Sequence, residues 1–229
     1  MSGMSNAKLV PVRHEVETLR TKIISHLRRA IEAGILEPGM RLVEKDLCEQ
    51  LQVSRTSLRE ALRELQAEGV LTYVSNRGLT VATVTRGEVE NIYRIRKVLE
   101  PLLVEQFIEK ASRLDIQALK ASSRKLKAAY KSGDFTVITA AKRDFYDRIC
   151  IGADNAIAFD ILNRLTLRTS QLRRKSVARR ERQEESVREI DALVRAIDAR
   201  DVEAARKTAE THVANAARSA FLASPELSP

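Results

Sequence analysis

The chain has 229 residues, with 40 Lys and Arg against 31 Asp and Glu, a net charge of +9, 44% hydrophobic residues, 8 Gly, 5 Pro and 2 Cys. That balance excludes intrinsic disorder, a collagen-like repeat and a disulfide scaffold. No stretch longer than eight residues lacks a charge, far short of the roughly 20 apolar residues of a membrane span. Cys48 and Cys150 read as small buried thiols, and the opening residues lack a signal-peptide block, so the expected compartment is the cytoplasm.

Taken in chain order, the first element is an amphipathic helix from about His14 to Ala33. Val16, Leu19, Ile23, Ile24, Leu27 and Ile31 share one face, and Gly34 is its stop. Pro38-Gly39 makes a turn, and a short helix runs from about Glu44 to Leu51. Ser54 then supplies an N-cap oxygen for a third helix reaching about Glu68, buried through Leu58, Ala61, Leu62 and Leu65. Val70–Val74 and Leu79–Val84 read as strands of a hairpin around Ser75-Asn76-Arg77-Gly78. Helix, helix, tight turn, helix and hairpin describe a winged helix-turn-helix.

Composition changes near Thr83–Gly87. Beyond it apolar residues recur at spacings of three and four, and Thr85 with Glu88 forms a capping box. Helices are expected at about 86–110, 114–131, 135–153, 156–180, 184–199 and 202–221. The fold class is therefore mainly α: a winged helix-turn-helix over 1–84 and an all-helical bundle over 85–229.

On the third helix, Arg55, Arg59 and Arg63 recur every four residues, opposite the leucine face. Thr56 and Ser57 lie in its first turn, where hydroxyls and free amides can meet phosphate. An apolar back, guanidinium forks and short donors are what a helix reading DNA requires. Taken alone, the spacing also fits a solvated face, since Glu60 and Glu64 are interleaved; the surrounding elements favour DNA.

Two runs carry a specific resemblance: Ile31-Glu32-Ala33-Gly34-Ile35-Leu36-Glu37-Pro38-Gly39-Met40-Arg41-Leu42, and Val53-Ser54-Arg55-Thr56-Ser57-Leu58-Arg59-Glu60-Ala61-Leu62-Arg63-Glu64-Leu65. With Glu68-Gly69-Val70-Leu71 and Asn76-Arg77-Gly78 they resemble the GntR family of bacterial regulators. The helical segment resembles the FadR-type (FCD) effector domain through Arg96 with Glu100, Phe145 with Asn155, and Ala196-Ile197 with Arg200-Asp201. The resemblance implies that Arg55 and Arg59 contact bases and phosphates, and that Lys45 reaches the DNA backbone. It also implies that Asn76, Arg77 and Gly78 form a wing tip in the minor groove. Arg63, two turns in, faces either phosphate or Glu60.

Many members of that family hold a divalent metal with an Asp, a His four residues later, and two further His. Aligned to that pattern, the Asp slot holds Lys142, the first His slot Tyr146 and the next Ile190; His212 alone survives. An ammonium at a ligand position repels a cation, so no metal and no other cofactor is expected. Lys142, with Arg96, Tyr146 and His212, is instead expected to receive the carboxylate or phosphate of a small acid, and Ile190 to supply an apolar wall. The alternative is that Lys142 pairs internally, with Glu100, or snorkels outward.

No catalytic residue set emerges, so an enzyme is not expected. The reading is a ligand-responsive regulator, a repressor, binding double-stranded DNA at a short palindromic operator as a homodimer. Its effector is a small organic acid, and no membrane is involved. Two other classes remain open: a non-specific architectural or RNA-binding protein, and an enzyme acting on a small acid. Charge placement does not argue for DNA: residues 1–82 carry 12 basic and 10 acidic groups, whereas residues 164–182 alone carry eight basic against one acidic. That basic stretch reads as a solvated helix face, with an auxiliary phosphate contact as the alternative and Arg168 near the effector pocket.

Overall fold

A computed structural model of the chain describes residues 18–224. α1 (Leu19–Glu32) is capped by the Thr18 hydroxyl, which accepts the Thr21 amide, and it buries Ile23, Ile24, Leu27 and Ile31. The expected start at His14, with Val16, falls outside the described residues. α2 (Glu44–Leu51) and α3 (Arg55–Ala67) follow, and Gln52 makes the tight turn between them with a left-handed φ of 53°. β1 (Leu71–Val74) and β2 (Gly78–Val81) pair antiparallel, with Leu71 opposite Val81. Both strands are shorter than the alternation suggests. At the tip Asn76 and Gly78 take φ of 69° and 79°, a region that a β-branched residue would enter only with strain.

A third edge was not legible in the sequence. After the Pro38-Gly39 turn, the Leu42 amide donates to Leu79 O at 2.8 Å and the Val81 amide to Met40 O at 3.0 Å. The segment before α2 thereby covers the open edge of β2, which otherwise presents unpaired backbone groups.

The remaining elements are α4 (Arg86–Lys110), α5 (Arg113–Ser132), α6 (Phe135–Gly152), α7 (Ala156–Arg168), α8 (Ser170–Val177), α9 (Arg180–Asp198) and α10 (Val202–Leu222). The capping box at Thr85 and Glu88 forms, with the Thr85 amide donating to the Glu88 carboxylate at 2.9 Å. A second box at Ser112 and Asp115 opens α5, and the Asp134 carboxylate caps α6.

The expected helix over 156–180 is two helices. Fully buried Thr169 turns its hydroxyl back to donate to Leu165 O at 3.1 Å and Thr166 O at 3.3 Å. Such back-bonding competes with the backbone ladder and bends a helix. α8 then ends near Ala178, where the Gln183 side chain donates to Val177 O at 2.8 Å in place of a backbone amide. α9 accordingly begins at Arg180, a turn earlier than periodicity suggests.

One apolar core lies inside the bundle around Phe107, Leu119, Leu126, Phe145, Ile190 and Ile197. A second lies under the winged helix, around Leu27, Leu58, Leu62, Leu65 and Leu71, and Leu167 of α7 inserts into it. The two halves are thus joined by packing as well as by the chain.

Candidate functional site

The first candidate surface is the outer face of α3. Ser54 caps it, its oxygen accepting the Ser57 amide at 3.2 Å while its hydroxyl donates to the Ser57 hydroxyl at 3.0 Å. Leu58, Ala61, Leu62 and Leu65 are buried, which turns Arg55, Thr56, Arg59 and Arg63 outward into solvent. Arg59 is not free: its Nε donates to the Glu44 carboxylate of α2 at 2.8 Å. Arg63 makes no ion pair with Glu60 or with any other described residue. Lys45 is exposed beside Glu49, 4.0 Å away. Arg77 is exposed at the hairpin tip, its amide donating to Val74 O at 3.0 Å.

The second candidate is a cavity of about 90 Å³ inside the bundle. A single water needs roughly 10–15 Å³ on this measure, so the space admits a small molecule. Its polar wall includes Arg96 and Glu100 of α4, Lys142 and Tyr146 of α6, Arg173 of α8, Arg182 of α9 and His212 of α10.

Arg96 is 6% exposed and donates through Nε to Glu100 at 2.8 Å, with its guanidinium over the Tyr93 ring. Its Nη1 is buried without any hydrogen-bond partner. Burial works against the Arg96 charge, but Glu100, together with Tyr93 and Tyr146, more than restores it. Arg182 is held by Glu189, at 2.8 Å. Glu189 also receives His212 Nδ1 at 2.6 Å and the Asn215 amide at 2.5 Å. Burial alone would raise the Glu189 pKa, but the bonds from His212 and Arg182 bring it down to about 2.

Lys142 and Arg173 differ from these. Neither side chain makes a hydrogen bond or ion pair with any described residue, Glu100 included. Burial first, and then the like charges of Arg173, Arg182 and Arg96, push the Lys142 pKa well below its usual value, with Glu100 opposing. The Arg173 pKa is likewise lowered, by burial and then by Arg96. The nearest carboxylates, Glu32 and Glu100, are paired with Arg143 and Arg96, so Lys142 and Arg173 stay without a direct partner, a cost that an incoming anion offsets.

The residues do not fit a divalent metal. Among the described residues no group of three or more His, Cys, Asp and Glu is placed to hold one. His212 is the single imidazole of the cavity wall, and both its nitrogens are engaged: Nε2 by the Tyr146 hydroxyl at 2.7 Å and Nδ1 by Glu189. Burial lowers the His212 pKa, only partly offset by Glu189, and the Glu189 carboxylate, which can only accept, calls for a proton on Nδ1.

Of the effector residues expected from the sequence, Arg96, Lys142, Tyr146 and His212 are brought together. Ile190 is not: it is 1% exposed and packs in the bundle core, away from the cavity. The α9 positions that face the site are Arg182, Gln183, Ser186 and, behind them, Glu189. The basic stretch is not simply a solvated face either. Arg173 and Arg182 point into the cavity, Arg174 donates to Ala33 O at 3.2 Å, and Arg168 pairs with Glu88 at 2.6 Å rather than approaching the pocket. A signal for Arg182 was available, because Arg182, Ser186 and Glu189 place polar groups on the helix face that continues through Leu193 and Ile197.

A model of the bacterial regulatory proteins of the gntR family matches residues 19–81, and one of the FCD domain matches residues 91–215. The chain is 30% identical over 168 residues to the HTH-type transcriptional regulator McbR of Escherichia coli strain K12, covering 73% of each protein. It is 30% identical over 98 residues to the gluconate operon transcriptional repressor of Bacillus subtilis strain 168, covering 43% of this chain and 38% of that one. Among solved structures, E. coli McbR/YncC matches with a TM-score of 0.77 and 26% identity, over 86% of this chain and 94% of that one.

Proposed function

The chain belongs to the GntR family of bacterial transcriptional regulators and carries an FCD domain, and from that premise we propose a repressor released or engaged by a small acid bound without metal. The observation that carries the effector assignment is the pair Lys142 and Arg173, basic side chains lining one cavity without a directly paired carboxylate, beside the unpartnered Nη1 of Arg96. A carboxylate or phosphate supplies what those three groups lack. Tyr146 and His212 form the adjoining polar wall. Calorimetric titration with a panel of small carboxylic and phosphorylated acids tests this: binding to wild type that survives in Lys142→Ala and Arg173→Ala would overturn it.

The DNA-reading unit is taken as residues 1–84 and the effector- and dimer-forming unit as 85–229. Arg55 and Arg59 read base edges and phosphates, with Ser54, Thr56 and Ser57 at the helix start. Arg63 and Lys45 contact the backbone, and Asn76, Arg77 and Gly78 enter the minor groove. Support comes from the outward placement of these side chains on a buried leucine scaffold. A homodimer on a short inverted repeat follows from two-fold matching of protein and operator. A candidate seam is the exposed row Ile95, Val98 and Leu102 along α4, with Val98 70% exposed. Repression is the role named for the Bacillus subtilis relative, and a DNA regulator of this kind acts in the cytoplasm rather than as an enzyme or at a membrane.

A further inference from the structure

The cavity is not built by the helical bundle alone. Glu32, the last residue of α1 in the DNA-binding half, has a side chain only 12% exposed and lines the cavity. Its carboxylate pairs with Arg143 of α6, and its charge also acts on Arg173 and on Asp147. The effector cavity therefore already contains an anion, and that anion is attached to the helix that carries the winged domain.

The neighbouring helix is placed to register this anion. α8 is only eight residues long and lies between the cavity and the end of α1. Ser170, Arg173 and Ser176 face the cavity. On its other side Gln171 donates to Ile31 O at 3.5 Å and Arg174 to Ala33 O at 3.2 Å. The approach is close: a Cβ on Gly34, whose φ is 75°, would lie 1.8 Å from Arg174 Nη1, so that side chain would have to give up its place over the end of α1. An anion captured by Arg173 thus acts on the helix whose opposite side grips the α1 carbonyls.

We propose that Glu32 is a residue of the effector site supplied by the DNA-binding half, and that an acid entering the cavity competes with it for the charge of Arg173. In the ligand-free protein, Glu32 holds the end of α1 against α6 and α8. An incoming carboxylate or phosphate takes over Arg173 and Lys142 and repels Glu32, which loosens the α1–α8 contact and alters the placement of the winged domain. Because the coupling is reciprocal, whatever undocks Glu32 also tightens the ligand. This rests on the reading of the cavity as an anion site.

Succinate and inorganic phosphate serve as probes, titrated calorimetrically into wild type, Glu32→Gln and Glu32→Asp. Circular dichroism shows whether each variant is folded, and amide hydrogen exchange is followed over residues 29–36 and 171–174. A like charge some ångströms from the ligand, partly screened, is worth on the order of tenfold in affinity. Glu32→Gln is therefore expected to bind the better probe about tenfold tighter, with exchange in these segments fast and unresponsive. Wild type and Glu32→Asp should bind more weakly and show exchange that rises on binding. Equal affinities and equal exchange responses in wild type and Glu32→Gln would overturn the role of Glu32. If binding in that case is also lost in Arg173→Met, the anion site itself stands. Binding of neither probe to any variant would overturn both.

Discussion

The Tyr146 hydroxyl and His212 Nε2 lie 2.7 Å apart, and the same imidazole donates through Nδ1 to Glu189 at 2.6 Å. Through that residue Tyr146 of α6, His212 of α10 and the Glu189–Arg182 pair of α9 become one buried chain of hydrogen bonds. A histidine engaged at both nitrogens orients a wall; it has no lone pair left to offer a metal.

Glu189 is the hub of that chain, so its charge couples stability to pH. Its folded pKa of about 2 lies below the ordinary 4.5, because the bonds from His212 and Arg182 outweigh burial. A depressed carboxylate contributes stability that is present above the unfolded value and lost as pH falls towards the folded one. Glu189→Gln, which leaves the buried Arg182 charge only its longer contact to Glu185 at 3.5 Å, should cost about 2–4 kcal/mol at pH 7. Urea unfolding of both proteins between pH 7 and 2.5 checks this: the gap should hold above about pH 5 and narrow below it.

Lys142 has the opposite effect on the empty protein. Its folded pKa is depressed by burial and by Arg173, Arg182 and Arg96, so between that value and 10.5 the unfolded chain binds a proton the folded one does not. Stability is therefore lost as pH falls through this window. Lys142→Met should unfold at a higher temperature than wild type at pH 7 in the absence of any acid, and should bind none. Conversely, an acid bound by wild type should draw a proton onto Lys142. Calorimetry in buffers of differing ionisation enthalpy should show net proton uptake, and affinity should weaken as pH rises.

On the DNA-facing surface two substitutions should behave differently. Arg59→Ala removes a candidate base contact, which should cost about 1–3 kcal/mol and flatten sequence preference. The Glu44 pair it also breaks is solvent-exposed and contributes little. Lys45→Ala should weaken all sequences alike and reduce the slope of log K against log salt by about 1. Fluorescence anisotropy with a selected operator and a scrambled duplex, at several salt concentrations, separates the two.

Gly152 near the end of α6 tests the packing. A Cβ there would lie 2.5 Å from the ring of fully buried Phe107. Overpacking typically costs about 1–3 kcal/mol, and alanine's better helix propensity returns about 1 kcal/mol. The ring is hemmed in by the bundle core, so the clash wins. Gly152→Ala should lower the urea midpoint without changing the slope, and Gly133→Ala, with open space around it, should suffer only from its φ of 70°.

Much of this architecture follows from local rules. The leucine spacing of α3 places Arg55, Arg59 and Arg63 outward whatever the rest of the chain does, because a helix has one period. Ser54, Thr85 and Asp134 cap helices with side chains that reach only their own first turn. The substitution of Lys142 and Tyr146 where relatives of the resembled family place metal ligands is likewise a property of the sequence. What lay beyond it was which residues from distant helices meet. Arg173 and Arg182 looked like members of a solvated basic run, because charge counted along a chain does not reveal which side of a short helix faces a cavity. Thr169 breaks one helix into two only because its hydroxyl, shut away from water, must find carbonyls. Ile190 is turned into the core and Glu189 towards His212, a rotation of one residue that only the packing of α9 against α10 decides. Glu32 was visible merely as a helix end; contact with Arg143 across 111 residues puts the DNA-binding half at the rim of the cavity.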